Sequence, residues 1–277
     1  MLCPLIVDLR DGRLGIRTWW IVGESLARLY LTGGLRMEGP AGSFDGSDLP
    51  GHQGRLALAA LAVDRRPLAH EYLAGIVWND DPPEQWKSAL AAVISKTRSL
   101  ISATGLDGSA VLISTGGTYG FSPSPQMWID LEQAYRRLDH AEGSLRHDDP
   151  MSAAQEATVA SATLRRPFLP GESGLWLEEA RSRQSDALYR CYVTLAAAWK
   201  MIGDHQLAAV TAESAILVDP YRELGHRLLI EIEQERGDSG AAERAFSRCE
   251  RILRDEIGVH LSPATRRLGE LLFDDDA

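Results

Sequence analysis

The sequence predicts a mainly α-helical protein, with a small α+β part at its N-terminal end and an all-α repeat after it. Three observations carry this. Short apolar stretches set among Gly33, Gly34, Gly39 and Gly42 read as strands and turns, and they give way to Leu- and Ala-rich segments of helical period. Val111 to Phe121 is a hairpin signature turning at Gly116-Gly117. Beyond residue 126 the pattern is helical throughout, and a Gly-Asp turn at Gly203-Asp204 recurs 34 positions later at Gly237-Asp238. That is the repeat length of a tetratricopeptide-type helix pair.

The elements follow in order. Residues 1–25 form an N-terminal arm in which Ile16 to Val22 has strand character. Residues 26–49 are short strands around Leu29, Leu31 and Leu35. Gly54 to Arg66 is a helix of strong helix formers, stopped by Pro67. Leu68 to Trp78 is a second helix, with Leu68, Tyr72, Leu73, Ile76 and Val77 at helical spacing. Asn79 to Pro83 is a helix-start signal in which Asp80 or Asp81 caps. A third helix then runs from Glu84 to Ala103, and the hairpin follows. Ser122 to Pro125 is a linker. It divides a first domain, residues 26–122, from a second, residues 126–273. Helices in the second are expected at Ile129–Glu142, Met151–Leu164, Leu175–Ile202, His205–Val218, Tyr221–Arg236, Ser239–Ile257 and Pro263–Phe273.

Composition excludes several classes. The 277 residues are 44% hydrophobic and 25% charged, as in an ordinary globular chain rather than a disordered one. No apolar run approaches the ~18 residues of a membrane span, and the N-terminus lacks a basic leader and a cleavage site. The three cysteines are widely spaced with no CxxC, so a cytoplasmic protein without structural zinc or disulfides is expected. No H-E-x-x-H or G-x-x-x-x-G-K-[ST] occurs, and the seven histidines have no metal-ligand spacing. His140-Ala141-Glu142 lacks the P-C-x-x-C partner of a deaminase zinc site. No enzyme, cofactor or metal is therefore expected.

Strands, three helices and a hairpin, in that order, describe a winged helix. Its third helix enters the major groove and its hairpin wing touches the backbone or minor groove. Charge supports this. The net charge is −10, but residues 26–125 carry only −1 while residues 126–277 carry −9. Within the near-neutral part, the third helix carries Lys87, Lys96 and Arg98 and no acid after Glu84. That is a local footprint for phosphate. Lys87, Ala91, Ser95 and Arg98 fall near one face, and Ser88, Ser95 and Ser99 add hydroxyls. Val93, Ile94, Thr97 and Leu100 are expected to face the other helices.

The chain resembles the Streptomyces antibiotic regulatory protein (SARP) family over residues 26–273. Leu175 to Arg183 (LWLEEARSR), Asp219 to Glu223 (DPYRE) and Arg248 to Pro263 (RCERILRDEIGVHLSP) resemble that family's second-half motifs. Ser95-Lys96-Thr97-Arg98 resembles the S-R-L-R of its recognition helix, and Gly117-Thr118-Tyr119-Gly120 its G-x-Y wing. The resemblance implies an OmpR-type winged helix joined to a tetratricopeptide-like bacterial transcriptional activator domain. It also implies binding to promoter DNA and recruitment of RNA polymerase. Lys96 and Arg98 would then touch phosphates or base edges, and Thr118 and Tyr119 would lie in the wing. One departure stands out. Ala91, Ala92 and Val93 replace the polar or basic residues usual before S-R-L-R, so few side chains remain for bidentate base readout. Larger members carry an added sensor domain, which is not expected here.

The expected function is thus a transcriptional regulator, an activator, that binds double-stranded promoter DNA. Its acidic repeat would contact RNA polymerase, a second copy or a small effector. The alternatives are an adaptor whose winged helix has lost DNA binding, and a ligand-gated regulator. Structural roles are expected for Asp219 and Glu223 at a helix start, for Arg222 in an ion pair, and for Trp176 and Trp199 in the core.

Overall fold

A computed structural model describes residues 27–125 and 127–274. The N-terminal arm, with Ile16 to Val22 and Cys3, lies outside the described residues. Strands β1 (Ala27–Tyr30), β2 (Arg36–Gly39) and β3 (Gly42–Asp45) form an antiparallel meander. Gly39 is required there, since a Cβ at this position would collide with the Thr104 carbonyl. Helix α1 (Gly51–Asp64) follows, with Leu56 to Ala62 buried on every side.

The second helix is shorter than its periodicity suggested. Leu68 and Ala69 form strand β4, and α2 is His70–Trp78. Leu68 leaves the helix because it pairs with Tyr119 across the wing sheet. The third helix, α3, is Trp86–Ala103 rather than beginning at Glu84. Neither Asp80 nor Asp81 caps it. Its N-cap is Gln85, which makes no side-chain cap bond. Asn79 and Asp80 instead take left-handed backbone, φ 52° and 63°, and Asn79 closes α2. A short helix absent from the sequence reading, α4 (Gly108–Val111), is capped by Asp107 through the Ser109 and Ala110 N–H groups. It leads into β5 (Leu112–Thr115) and β6 (Thr118–Phe121), and this sheet has the order β4-β6-β5.

The chain then adds a strand where the sequence pattern predicts only helix. Strand β7 (Met127–Ile129) pairs in parallel with β1, Ala27 opposite Met127 and Leu29 opposite Ile129, giving the order β3-β2-β1-β7. Helix α5 (Asp130–Arg146) starts directly from it. Asp130 is buried there. Its carboxylate accepts the Leu31 N–H at 2.9 Å, the Thr32 N–H at 3.0 Å and the Thr32 hydroxyl at 2.8 Å.

The rest is a stack of antiparallel helices: α6 (Pro150–Leu164), α7 (Leu175–Ile202), α8 (His205–Val218), α9 (Glu223–Arg236), α10 (Ser239–Ile257) and α11 (Pro263–Asp274). The two repeat turns are built alike. Gly203 and Gly237 end their helices at φ 88° and 82°, where a side chain would be strained. Asp204 and Asp238 each cap the next helix. One hydrophobic core runs unbroken from the strands through α1–α3 to Trp176, Leu177 and Cys191 of α7. Trp199 packs between two further clusters in the repeat. Burial pushes the Cys191 and Cys249 thiols up to about 12, so both stay protonated and inert. No helix among the described residues is long and apolar enough to cross a membrane.

Candidate nucleic-acid interface

Helix α3 buries Leu90, Ile94, Thr97 and Ile101, one stripe at i, i+4, i+7 and i+11. Val93 and Leu100 are only half-buried beside it. The opposite surface exposes Lys87, Ser88, Ala91, Ala92, Ser95, Lys96 and Ser99. Two of its hydroxyls turn onto their own helix, Ser88 Oγ to the Gln85 carbonyl and Ser99 Oγ to the Ser95 carbonyl. Lys87 Nζ lies 5.4 Å from the Trp86 ring centroid. Neither lysine has an ion pair among the described residues, and the helix itself carries no acid.

Arg98 stands apart from this face. It is half-buried, and its Nε donates to the Leu112 carbonyl at 2.8 Å, where the wing begins. The approach is close, since a Cβ at Gly108 would collide with the Arg98 carbonyl. Arg98 thus fixes the angle between α3 and the wing.

The wing turns at Gly116 and Gly117, φ 57° and 81°, the left-handed pair that a two-residue hairpin requires. Thr118 is half-buried, and its hydroxyl closes the turn on the Thr115 carbonyl at 2.6 Å. Tyr119 is 7% exposed and stacks on His70, centroids 4.3 Å apart. The His70 N–H donates to the Gly117 carbonyl, so the start of α2 holds the wing turn. Seven of the ten residues expected at the interface therefore share one exposed helix face. Thr118 sits at the wing turn, while Arg98 and Tyr119 are packing residues. Arg66, unremarked in the sequence, is an exposed cation without an ion pair among the described residues. It directly precedes Pro67 and β4 at the base of the wing.

In the helical part, the two separated motifs meet. Glu223 accepts the Ser262 N–H at 3.1 Å, the Ser262 hydroxyl at 2.6 Å and the Thr265 hydroxyl. Burial pushes its carboxyl up, but these bonds outweigh that and leave it below its ordinary value. Arg222 pairs with Asp186 at 2.5 Å and lies over the Tyr189 ring at 4.0 Å. Asp219 does not cap α9, whose N-cap is Arg222; it ends α8 and closes the turn on the Tyr221 N–H.

The family model of the bacterial transcriptional activator domain matches residues 129–272, the whole stretch from the end of β7 into α11. The chain belongs to that family. Bacterial transcriptional activator domain proteins are transcriptional regulators, not enzymes. Mycobacterium tuberculosis EmbR, solved in complex with a low-affinity phosphopeptide, superposes with a TM-score of 0.82 at 21% identity. The match covers 90% of this chain and 65% of that one, so this chain spans about two thirds of EmbR's length. The shared fold is a winged helix followed by helical repeats, the domain order of SARP-type regulators. The C-terminal TPR-containing domain of a Plasmodium falciparum FK506-binding protein aligns with a TM-score of 0.40 and 12% identity, over 53% of this chain and 89% of that one. No curated protein matches the chain in sequence.

Proposed function

We propose that this bacterial transcriptional activator domain protein binds promoter DNA through its winged helix and activates transcription in the cytoplasm. Its acidic helical array, which repels DNA, is left to contact RNA polymerase or a second copy. One observation carries the reading: the exposed face of α3 holds Lys87 and Lys96 without any acid, in a domain of net charge −1, beside a wing braced by His70 and Arg98. Phosphates would be held by the lysines, with Thr118 shaping the wing turn beside them. Thymine methyls would be met by Ala91 and Ala92.

Fluorescence anisotropy on the chain's own upstream DNA and on scrambled DNA, across a salt series, tests this. Tighter binding to the native sequence is expected. The Lys87→Ala, Lys96→Ala double variant should flatten the salt slope by nearly two, at about 0.9 per phosphate contact. An unchanged slope with the fold intact would overturn the assignment.

Ala91 and Ala92 favour a second reading. With no base-reading side chain on that stretch, and with Arg98 and Tyr119 engaged in packing, the winged helix could serve as a protein-interaction module. Equal, weak and wholly salt-sensitive binding to both DNAs would support it.

A further inference from the structure

Where α1 of the winged helix meets α5 and α7 of the array, two chambers adjoin, and Val63 and Tyr135 line both. The smaller, about 170 Å³, reaches the core and is walled by the buried side chains of Leu31, Ala62, Ile129 and Leu131. The larger, about 590 Å³, has Asp64 of α1 on one wall and Arg183 of α7 on another.

Eight charged side chains line the two chambers, and six of them are matched within the protein. Glu132 holds Arg65 at 2.9 Å and Arg136 at 2.6 Å. Arg190 pairs with Glu142 at 2.8 Å and with Asp139 at 3.9 Å, and Asp186 pairs with Arg222 at 2.5 Å. Asp64 and Arg183 are left over. They are an anion and a cation on different domains, and neither has an ion pair among the described residues, with the other included. Asp64 is also the last residue of α1, where the helix dipole disfavours a carboxylate.

Tyr135 supplies a further unmatched group. Its ring packs against the core, while its hydroxyl has no hydrogen bond among the described residues. The charges acting on that hydroxyl are Arg183 and Asp186, which both line the larger chamber, so the hydroxyl lies on that side. Burial pushes its ionisation above the ordinary 10, which keeps it a proton donor. A donor beside an unmatched cation calls for a carboxylate. The unmatched carboxylate on the same chamber calls for an ammonium, and the apolar chamber next to both calls for hydrocarbon.

We propose that the two chambers form a binding site for an α-amino acid with an apolar side chain. Its carboxylate meets the Arg183 guanidinium and the Tyr135 hydroxyl, and its ammonium meets Asp64. Its side chain enters the smaller chamber, whose size suits a branched aliphatic chain or a single ring. The ligand thus supplies the link that Asp64 and Arg183 do not make directly, and it ties α1 to α7. Its effect on DNA rests on the regulator reading; its uptake does not.

The probe is L-leucine, titrated into the full chain by isothermal calorimetry. Saturable uptake in the sub-millimolar to millimolar range is expected for a ligand of this size. 4-Methylpentanoate lacks the ammonium and isoamylamine lacks the carboxylate. Each should bind roughly tenfold more weakly or worse, since each forfeits a charge-assisted contact. Asp64→Asn and Arg183→Gln should each weaken L-leucine to a similar extent. Neither should lower the melting temperature, because neither residue has a partner to lose. No saturable uptake, equal uptake of either analogue, or full affinity in either variant would overturn the site. Promoter binding is measured on the same samples. Uptake of L-leucine without promoter binding sinks the regulator reading and leaves the site, whereas promoter binding without uptake does the reverse.

Discussion

Arg98 and Lys96 are two residues apart on one helix, yet they do different physical work. Arg98 gives its Nε–H to the Leu112 carbonyl, while Lys96 faces solvent. Arg98→Lys is therefore expected to lower stability by about 1 kcal/mol, because an ammonium cannot reproduce the planar donor. Lys96→Ala should stay within about 0.5 kcal/mol. Urea midpoints of the two variants check the pair. One buried and one half-buried group in the helical array set the acid response. Burial holds His226 below its ordinary 6.5, with the Pro220 carbonyl, Glu213 and Glu223 opposing and Arg248 reinforcing. A histidine kept neutral by folding contributes fully above about pH 6.5, and the contribution is lost below it as the unfolded chain takes up the proton. Glu223 has a depressed value, so its contribution is present above its ordinary 4.5 and is lost as pH falls through the folded value. Melting temperature should thus be flat above pH 7 and fall in two stages. His226→Gln is expected to remove the upper stage and Glu223→Gln the lower, each read from melting temperature against pH.

At the scale of the element, the wing depends on Tyr119 as a core residue, packed on His70 and Leu68. Tyr119→Phe should leave both stability and DNA binding close to wild type. Tyr119→Ala should cost about 3 kcal/mol or more through the cavity it leaves. Thermal denaturation and anisotropy on the two variants separate packing from contact. The same element shows where sequence reading succeeds and where it stops. Local signals located the wing turn, since Gly116-Gly117 is a demand of the backbone. Local signals likewise gave α7, α8 and α10 their ends, each set by a left-handed glycine or an aspartate cap. What escaped was set by distant partners. Leu68 looks helical until Tyr119 pairs with it, and Met127 to Ile129 are three residues whose strand exists only because β1 lies alongside. On α3 the charge and small-residue pattern identified the exposed face, but nothing local told Arg98 from Lys96, because the Leu112 carbonyl arrives from another element.

At the scale of the whole molecule, the two parts share a core and are tied at several points. Asp130 binds Leu31 and Thr32, Arg55 pairs with Glu172, Arg65 with Glu132, and Asn79 with the start of α7. Cooperative unfolding as one unit is expected, with near-ultraviolet, far-ultraviolet and tryptophan-fluorescence transitions coinciding. Asp130→Ala would leave two buried N–H groups and a hydroxyl without their acceptor. It should destabilise the protein by about 3 kcal/mol or more, lowering all three transitions together. Separate transitions would show instead that the winged helix and the helical array melt independently.

If the winged helix binds promoter DNA as proposed, the parallel pairing of β7 with β1 bears on the geometry of the complex. A flexible tether would let the array swing around the duplex, but three paired residues in a shared sheet make it a lever clamped at its fulcrum. With α3 in a groove, as that reading requires, the far end at α11 would point to one azimuth around the DNA axis. Two chains on tandem sites would then face the same way only when the sites are in phase, about 10–10.5 base pairs or a multiple apart. Half a turn of inserted DNA would leave each chain bound and set their acidic arms on opposite sides of the helix.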